Sequence, residues 1–232
     1  MDAAPAPAPT PAPTPAPTPA PTPDPADGHA LVELVGVMAR LRRECPWKAE
    51  QTHRSLARYL LEEAHEVLEA LDTGDAALLR EELGDLLLQV YFHAAIAAER
   101  TDATAFTIDD VAADLTAKLV RRNPHVFGAD RTADDQPLDA AAVNEAWEAV
   151  KATEKTRTDP TDGLPPTLPA LLWADKVLDR SARAGTPLDL APRRTGSDAG
   201  TIGDRLLGLV AEAREAGVDP EQALRDAVRA WL

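Results

Sequence analysis

The sequence predicts an all-α protein, a helical bundle behind a Pro/Ala/Thr-rich N-terminal tail. Three observations carry this. Apolar residues recur at helical spacing in one segment after another. No stretch sustains the period-2 alternation of a strand. Caps and breakers stand at the ends of the stripes, and such a pattern suits a bundle.

The first 29 residues come first in the chain and last in order. Ala, Pro and Thr alternate from Ala3 to Pro25, and 11 of the 21 prolines fall there. Proline fixes φ and removes a donor, so this segment is expected to be a disordered, extended, polyproline-like tail. It has no Lys or Arg and no apolar run, which is unlike a signal peptide. Leu31 to Arg43 carries a stripe of Leu31, Leu34, Val35, Met38 and Leu41, and Pro46 stops it. A second helix is expected from about Ser55 to Leu71, with Leu60, Leu61, Ala64, Val67, Leu68 and Leu71 as its apolar set. Asp72-Thr-Gly-Asp75 is a turn by composition, and a third helix runs from Ala76 to Glu99.

Thr107 reads as the N-cap of a fourth helix, which ends before Asn123-Pro124. A fifth spans Asp139 to Glu154, and prolines 160, 165 and 166 mark the loop behind it. Further helices follow Pro169 and Gly200, and Asp219-Pro220-Glu221 caps the last. Leu83-Gly-Asp85-Leu-Leu-Leu finds an echo in Ile202-Gly-Asp204-Arg-Leu-Leu, without the acids that surround the first copy.

Composition narrows the functions. A net charge of −15 is wrong for a protein that grips nucleic-acid backbone. It would also repel a polyphosphate unless cations or local basic groups intervene. No stretch is long and apolar enough to span a membrane. Cys45 is the only cysteine, which excludes an intrachain disulfide and points to a reducing, cytoplasmic home.

The chemistry concentrates around the predicted turn. Glu63 and Glu66 form one i,i+3 pair, Glu82 and Asp85 a second, at matched distances on either side of Asp72–Asp75. In an antiparallel helical hairpin all four would converge at two adjacent levels. Converging anions repel unless they face water or hold cations, and clustered carboxylates suit Mg²⁺ or Mn²⁺. Gly84, an unusual helix-interior residue, reads as allowing either close helix approach or access to a metal. Lys118 and Arg122 share a face at i,i+4, as do Trp147 and Lys151. These are candidates for phosphate contacts, with Trp147 for stacking or core packing. Cys45 reads as a packing residue, and His53 has no partner at ligand spacing. The absence of GxxxxGK[ST] excludes a P-loop enzyme. A di-iron bundle would need two Glu-x-x-His motifs, and only Glu62-x-x-His65 is present.

Taken together, Cys45-Pro-Trp47, Gln51-Thr-His53, Leu61-Glu-Glu-Ala-His-Glu66, Glu81-Glu-Leu-Gly-Asp-Leu-Leu87, Lys118-Leu-Val-Arg-Arg-Asn-Pro-His-Val-Phe127 and Trp147-Glu-Ala-Val-Lys151 resemble the MazG nucleoside triphosphate pyrophosphohydrolases in order and spacing. The resemblance implies the all-α NTP pyrophosphatase fold, a homodimer that completes the active site, and Mg²⁺-dependent hydrolysis of nucleoside triphosphates to monophosphates and pyrophosphate. By match, Glu63, Glu66, Glu82 and Asp85 would be the catalytic metal ligands. Lys118, Arg122, Trp147 and Lys151 would bind substrate. It divides the chain into the tail (1–29), a catalytic helical domain (30–158) and a degenerate, truncated second repeat (159–232). A house-cleaning role in the nucleotide pool is the implied purpose; a catalytically weak nucleotide-binding regulator on the same scaffold is the alternative. The sequence departs from the family at Lys48, where the familiar motif has Asp.

Overall fold

The computed structural model describes residues 28–128, 139–154, 158–190 and 198–231. The expected tail (1–29) lies outside them except for Gly28 and His29, which cap and begin α1. Every regular element among the described residues is helical: α1 (His29–Glu44), α2 (Pro46–Glu50), α3 (His53–Thr73), α4 (Ala76–Ala98), α5 (Ile108–Arg122), α6 (Pro124–Phe127), α7 (Ala140–Glu154), α8 (Ala170–Arg183), α9 (Ala199–Glu215) and α10 (Pro220–Arg229). The chain forms two compact units that divide after Phe127. Thus α7 lies in the second unit, although the motif spacing grouped it with the helices before it.

Local chemistry sets the boundaries. Thr52 and Ser55 form a reciprocal capping box that starts α3, with Ser55 N–H donating to Thr52 Oγ1 at 3.1 Å and Thr52 N–H to Ser55 Oγ at 2.9 Å. Gly74 ends α3 at φ 70°, a left-handed conformation that a side chain disfavours. Asp75 then caps α4, accepting from Ala77 N–H at 2.8 Å and Leu78 N–H at 3.2 Å. The result is a tight antiparallel α3–α4 hairpin. Pro46 does more than stop α1: it occupies the first position of α2, where its missing donor costs nothing. The sequence reading missed α2 and α6 because neither is long enough to show a period.

The core of the first unit is Met38, Leu56, Tyr91 and Phe92, flanked by Leu34, Tyr59, Leu87, Leu88 and Ile96. Phe92 is 1% exposed, and truncating such a ring to Ala costs about 3–5 kcal/mol. Tyr91 hydroxyl donates to Leu31 carbonyl at 3.1 Å, tying α4 to the start of α1.

Much of the apolar face of α3 stays exposed among the described residues. Leu61 is 62% exposed, Leu68 41% and Leu71 56%; Leu83 on α4 is 49% exposed. Gly84 also corrects an expectation, since a Cβ there would meet nothing within 4 Å. It does not serve close helix approach. In the second unit, Arg214 on α9 bridges Asp175 at 3.1 Å and Asp179 at 2.5 Å on α8. No described helix is long and apolar enough to cross a membrane.

Candidate metal centre

The α3–α4 hairpin brings Glu63, Glu66 and Glu82 together. One carboxylate oxygen from each lies within 4.8 Å of the other two, a group able to hold a metal ion. This follows from sequence: the Gly74 turn fixes the register, and i,i+3 spacing turns Glu63 and Glu66 to one face of α3. Asp85, expected as the fourth member, is half-buried and lies outside that tight group. Its charge nevertheless acts on both Glu63 and Glu82.

The electrostatics fit a cation. Burial raises the Glu63 carboxyl above the ordinary range, with a hydrogen bond to Glu66 and the Asp85 charge adding to it; Gln89 opposes the rise. Glu82 is raised by partial desolvation, then by the charges of Glu66, Glu81 and Asp85. Crowding of these carboxyls disfavours the ionised form of Glu63 and Glu82, and a divalent cation at the same oxygens would relieve it. The donor set is all hard oxygen, the chemistry Mg²⁺ and Mn²⁺ prefer. Glu62 and His65 are both exposed and take no part in this group, which leaves the di-iron spacing unused.

The basic candidates divide between the units. Lys118 and Arg122 stand one turn apart on α5, both half-buried. Lys118 lines a shallow cavity of about 700 Å³ with Phe106, Asp114 and Leu115. Trp147 and Lys151 lie on α7 in the second unit, half-buried, and Lys151 Nζ pairs with Glu148 at 2.8 Å. Lys151 also faces a cavity of about 450 Å³ with Lys176, Asp179, Arg180 and Arg183.

Gln89 and His93 near the hairpin escaped the sequence reading, and His53 and Lys48 gain partners there. Gln89, 4% exposed, donates from Nε2 to Glu63 Oε1 at 3.3 Å. His53 has a partner after all: its ring stacks on His93 at 5.0 Å and 2°, with the two Nδ1 atoms 2.7 Å apart. Lys48, at the position that departs from the family motif, places its ammonium over Trp47 at 5.3 Å and over Phe92 at 5.1 Å. There it makes cation–π contacts with aromatic faces. Cys45 is half-buried beside the start of α2, consistent with packing.

Residues 51–127, which contain all four acids, match the MazG nucleotide pyrophosphohydrolase domain. Over 220 residues the chain is 38% identical to the nucleoside triphosphate pyrophosphohydrolase/pyrophosphatase MazG of Thermotoga maritima, covering 86% of this chain and 82% of that one. It is 43% identical over 201 residues to a nucleoside triphosphate pyrophosphohydrolase of Mycobacterium tuberculosis, spanning 87% of this chain but 55% of that protein. An uncharacterised 26.1 kDa protein of Streptomyces cacaoi is 45% identical over 205 residues, covering 88% of this chain and 80% of its own length. The crystal structure of a MazG-related protein from Thermotoga maritima aligns with 52% of this chain and 97% of its own, at 25% identity and a TM-score of 0.43.

Proposed function

The chain belongs to the MazG nucleotide pyrophosphohydrolase family, and from that premise we propose that it hydrolyses nucleoside triphosphates to the monophosphate and pyrophosphate with Mg²⁺ or Mn²⁺. The observation that carries the proposal is the convergence of Glu63, Glu66 and Glu82 within 4.8 Å across the α3–α4 hairpin. Together with Asp85, these residues would hold the metal. A divalent cation supplies charge neutralisation for the phosphates and an acidified water. A chain of net charge −15 needs the first to bind a polyphosphate at all.

The chain's own groups supply the remainder. In the first unit Lys118 and Arg122 offer phosphate oxygens two cations on one helical face; in the second unit Lys151 is the phosphate candidate that the family match gives. Trp147, one turn from Lys151, is the surface on which the nucleoside rests. A carboxylate flanking the cluster, Glu62 or Glu81, takes the proton of the attacking water. The new bond joins that water to the α-phosphorus, the bond from the α-phosphorus to the bridging oxygen breaks, and pyrophosphate departs. Apart from Trp147, whose ring can stack any base, these groups address phosphate and metal, so base selectivity is expected to be loose, as suits house-cleaning of a nucleotide pool in the cytoplasm. The exposed leucines of α3 are the face a second copy would cover in a homodimer.

The deciding experiment is pyrophosphate release from mixed NTPs and dNTPs with Mg²⁺, using Glu63→Gln as the control. That variant should lose at least 100-fold in kcat, the order expected when a metal ligand is lost, with helicity retained. Turnover at the wild-type rate would remove Glu63 from the site. Absence of turnover in the wild type, with a nucleotide-dependent rise in Tm, would instead make the protein a binder.

A further inference from the structure

A polar seam runs along the α3–α4 pair from Glu63 and Asp85 toward His53 and His93. On α4, Asp85, Gln89 and His93 recur every four residues and so share a face. Opposite them on α3 stand Glu63, which meets Gln89, and His53, which meets His93. Gln89 is among the few buried polar residues of the chain. Its amide spends Nε2 on Glu63, while its Oε1 is buried with no acceptor contact fulfilled. One turn further on, His93 spends Nδ1 on His53, and its Nε2 is likewise buried without a partner. Two orphaned polar atoms thus sit on neighbouring side chains of one helix face, where residues four apart have Cβ atoms about 5–6 Å from each other. Each alone is costly to leave unmade.

The proton count links them. Nδ1 atoms 2.7 Å apart hold a single proton between them. Burial, with the facing His53 adding to it, pushes the His93 imidazole below its usual range, so that ring is neutral and carries one N–H. If His93 accepts at Nδ1, its proton is on Nε2; that atom and Gln89 Oε1 are not in hydrogen-bond contact as they stand, and a side-chain rotation is what would bring donor to acceptor. Gln89 then keeps its amide N–H toward Glu63. In the opposite tautomer, His93 Nε2 and Gln89 Oε1 are both acceptors and both stay unmet. Turning the amide round to serve Nε2 would aim its oxygen at the Glu63 carboxylate. Only the first arrangement lets the two orphaned atoms serve each other as donor and acceptor.

We propose that Gln89 is a positioning residue for Glu63, and that the His53–His93 pair fixes its amide, making a one-way hydrogen-bond relay from His53 through His93 and Gln89 to Glu63. The relay orients one carboxylate of the cluster before a cation arrives. It deepens the metal-dependent reading above and rests on Glu63 being a ligand.

The test uses the full chain and Mn²⁺ alone, so it needs no turnover. Gln89→Leu keeps the volume and removes both ends of the amide. Its Mn²⁺ dissociation constant should rise about tenfold, the usual cost of losing a group that orients a ligand. Imidazole ¹⁵N shifts should show His93 as the Nε2–H tautomer in the wild type and a shift toward Nδ1–H in the variant. His53→Phe, at the exposed end of the seam, should leave His93 in both tautomers and weaken Mn²⁺ by about threefold, a fraction of the full ligand-orienting effect. It keeps the test decisive should Gln89→Leu fail to fold. Wild-type Mn²⁺ affinity in either folded variant, or a wild-type His93 already in the Nδ1–H form, overturns the relay. These outcomes are separate from the proposed activity: a wild type that binds Mn²⁺ through Gln89 but releases no pyrophosphate sinks the hydrolase and leaves the relay standing.

Discussion

Arg42 holds Glu99 with two parallel hydrogen bonds, 2.6 Å from Nε to Oε1 and 2.5 Å from Nη2 to Oε2, across 57 residues of sequence. The guanidinium side chain is 9% exposed. Its remaining nitrogen, Nη1, donates to the carbonyls of Lys48 and of Gln51, the latter at 3.2 Å. One side chain therefore ties the end of α1 to the C-terminal end of α2 and to the end of α4. A lysine is a point charge and cannot reproduce this fork. Arg42→Lys should destabilise the fold by about 2 kcal/mol, several hydrogen bonds to a charged group being lost while one charge pair survives. Urea unfolding would read it as a lower midpoint at unchanged slope. Arg42 also holds the Glu99 carboxyl below its ordinary range. That part of the stability is complete above the usual carboxylate pKa and disappears as pH falls through the depressed one. The stability gap between wild type and Arg42→Lys should accordingly narrow as pH falls through that window.

The carboxylate cluster has the opposite sign. Glu63 and Glu82 are raised in the folded chain, so the native state takes up protons that the unfolded chain releases. Without metal, their repulsion costs stability as pH rises through those raised values. A divalent cation that binds the ionised form removes the cost. Millimolar Mg²⁺ should raise Tm at pH 7.5 and do so progressively less toward pH 5, where protons compete for the same oxygens. At one hundred times the dissociation constant the gain is about 2.7 kcal/mol. Differential scanning fluorimetry across that range checks this. A Mg²⁺ shift that is flat with pH, or one that persists in Glu66→Gln, would contradict the assignment.

How much of this was legible beforehand depends on separation along the chain. The hairpin and its acids were, because Gly74 and Asp75 are written in the turn and an i,i+3 spacing fixes a helix face. Caps at Thr107 and Asp219 are as local and were found where expected. The His53–His93 pair was not, since it depends on register over 40 residues. Yet the mirror axis that opposes Glu66 to Glu82 opposes His93 to Ser55, two residues from His53, and it was there to be extended. Gln89 left a fainter signal: a lone amide inside Leu86-Leu-Leu-Gln89-Val-Tyr91, four residues beyond Asp85. The exposure of the α3 leucines could not be read at all, because an apolar stripe does not say which molecule covers it.

Gly84 offers a simple check of what that helix position is for. It lies mid-α4 between Leu83 and Asp85, and a Cβ there meets nothing. Gly84→Ala should therefore stabilise the chain by about 0.5–1 kcal/mol through helix propensity alone. If the glycine keeps the approach to the cluster open, the same variant will lose kcat/KM while its Tm rises. A rise in Tm with full activity would assign the glycine no part in access.

The exposed stripe on α3 makes the last prediction. Leu61, Ala64, Leu68 and Leu71 follow the 3-4-3 spacing of a helix–helix seam, and the three leucines are 62%, 41% and 56% exposed. Leu83 and Val90 on α4, seven residues apart, are 49% and 40% exposed beside it. A patch of this kind marks a surface that another protein buries. A second copy of this chain would bury the same seam from both sides in a closed two-fold pair. Sedimentation equilibrium should then give twice the 24.8 kDa of one chain. Leu61→Asp with Leu68→Asp places two charges in that seam and should return the mass to one chain, with helicity kept. If the active site needs both copies, pyrophosphate release should fall with the dimer and recover at high protein concentration. A wild-type mass of one chain at micromolar concentration would refute the homodimer.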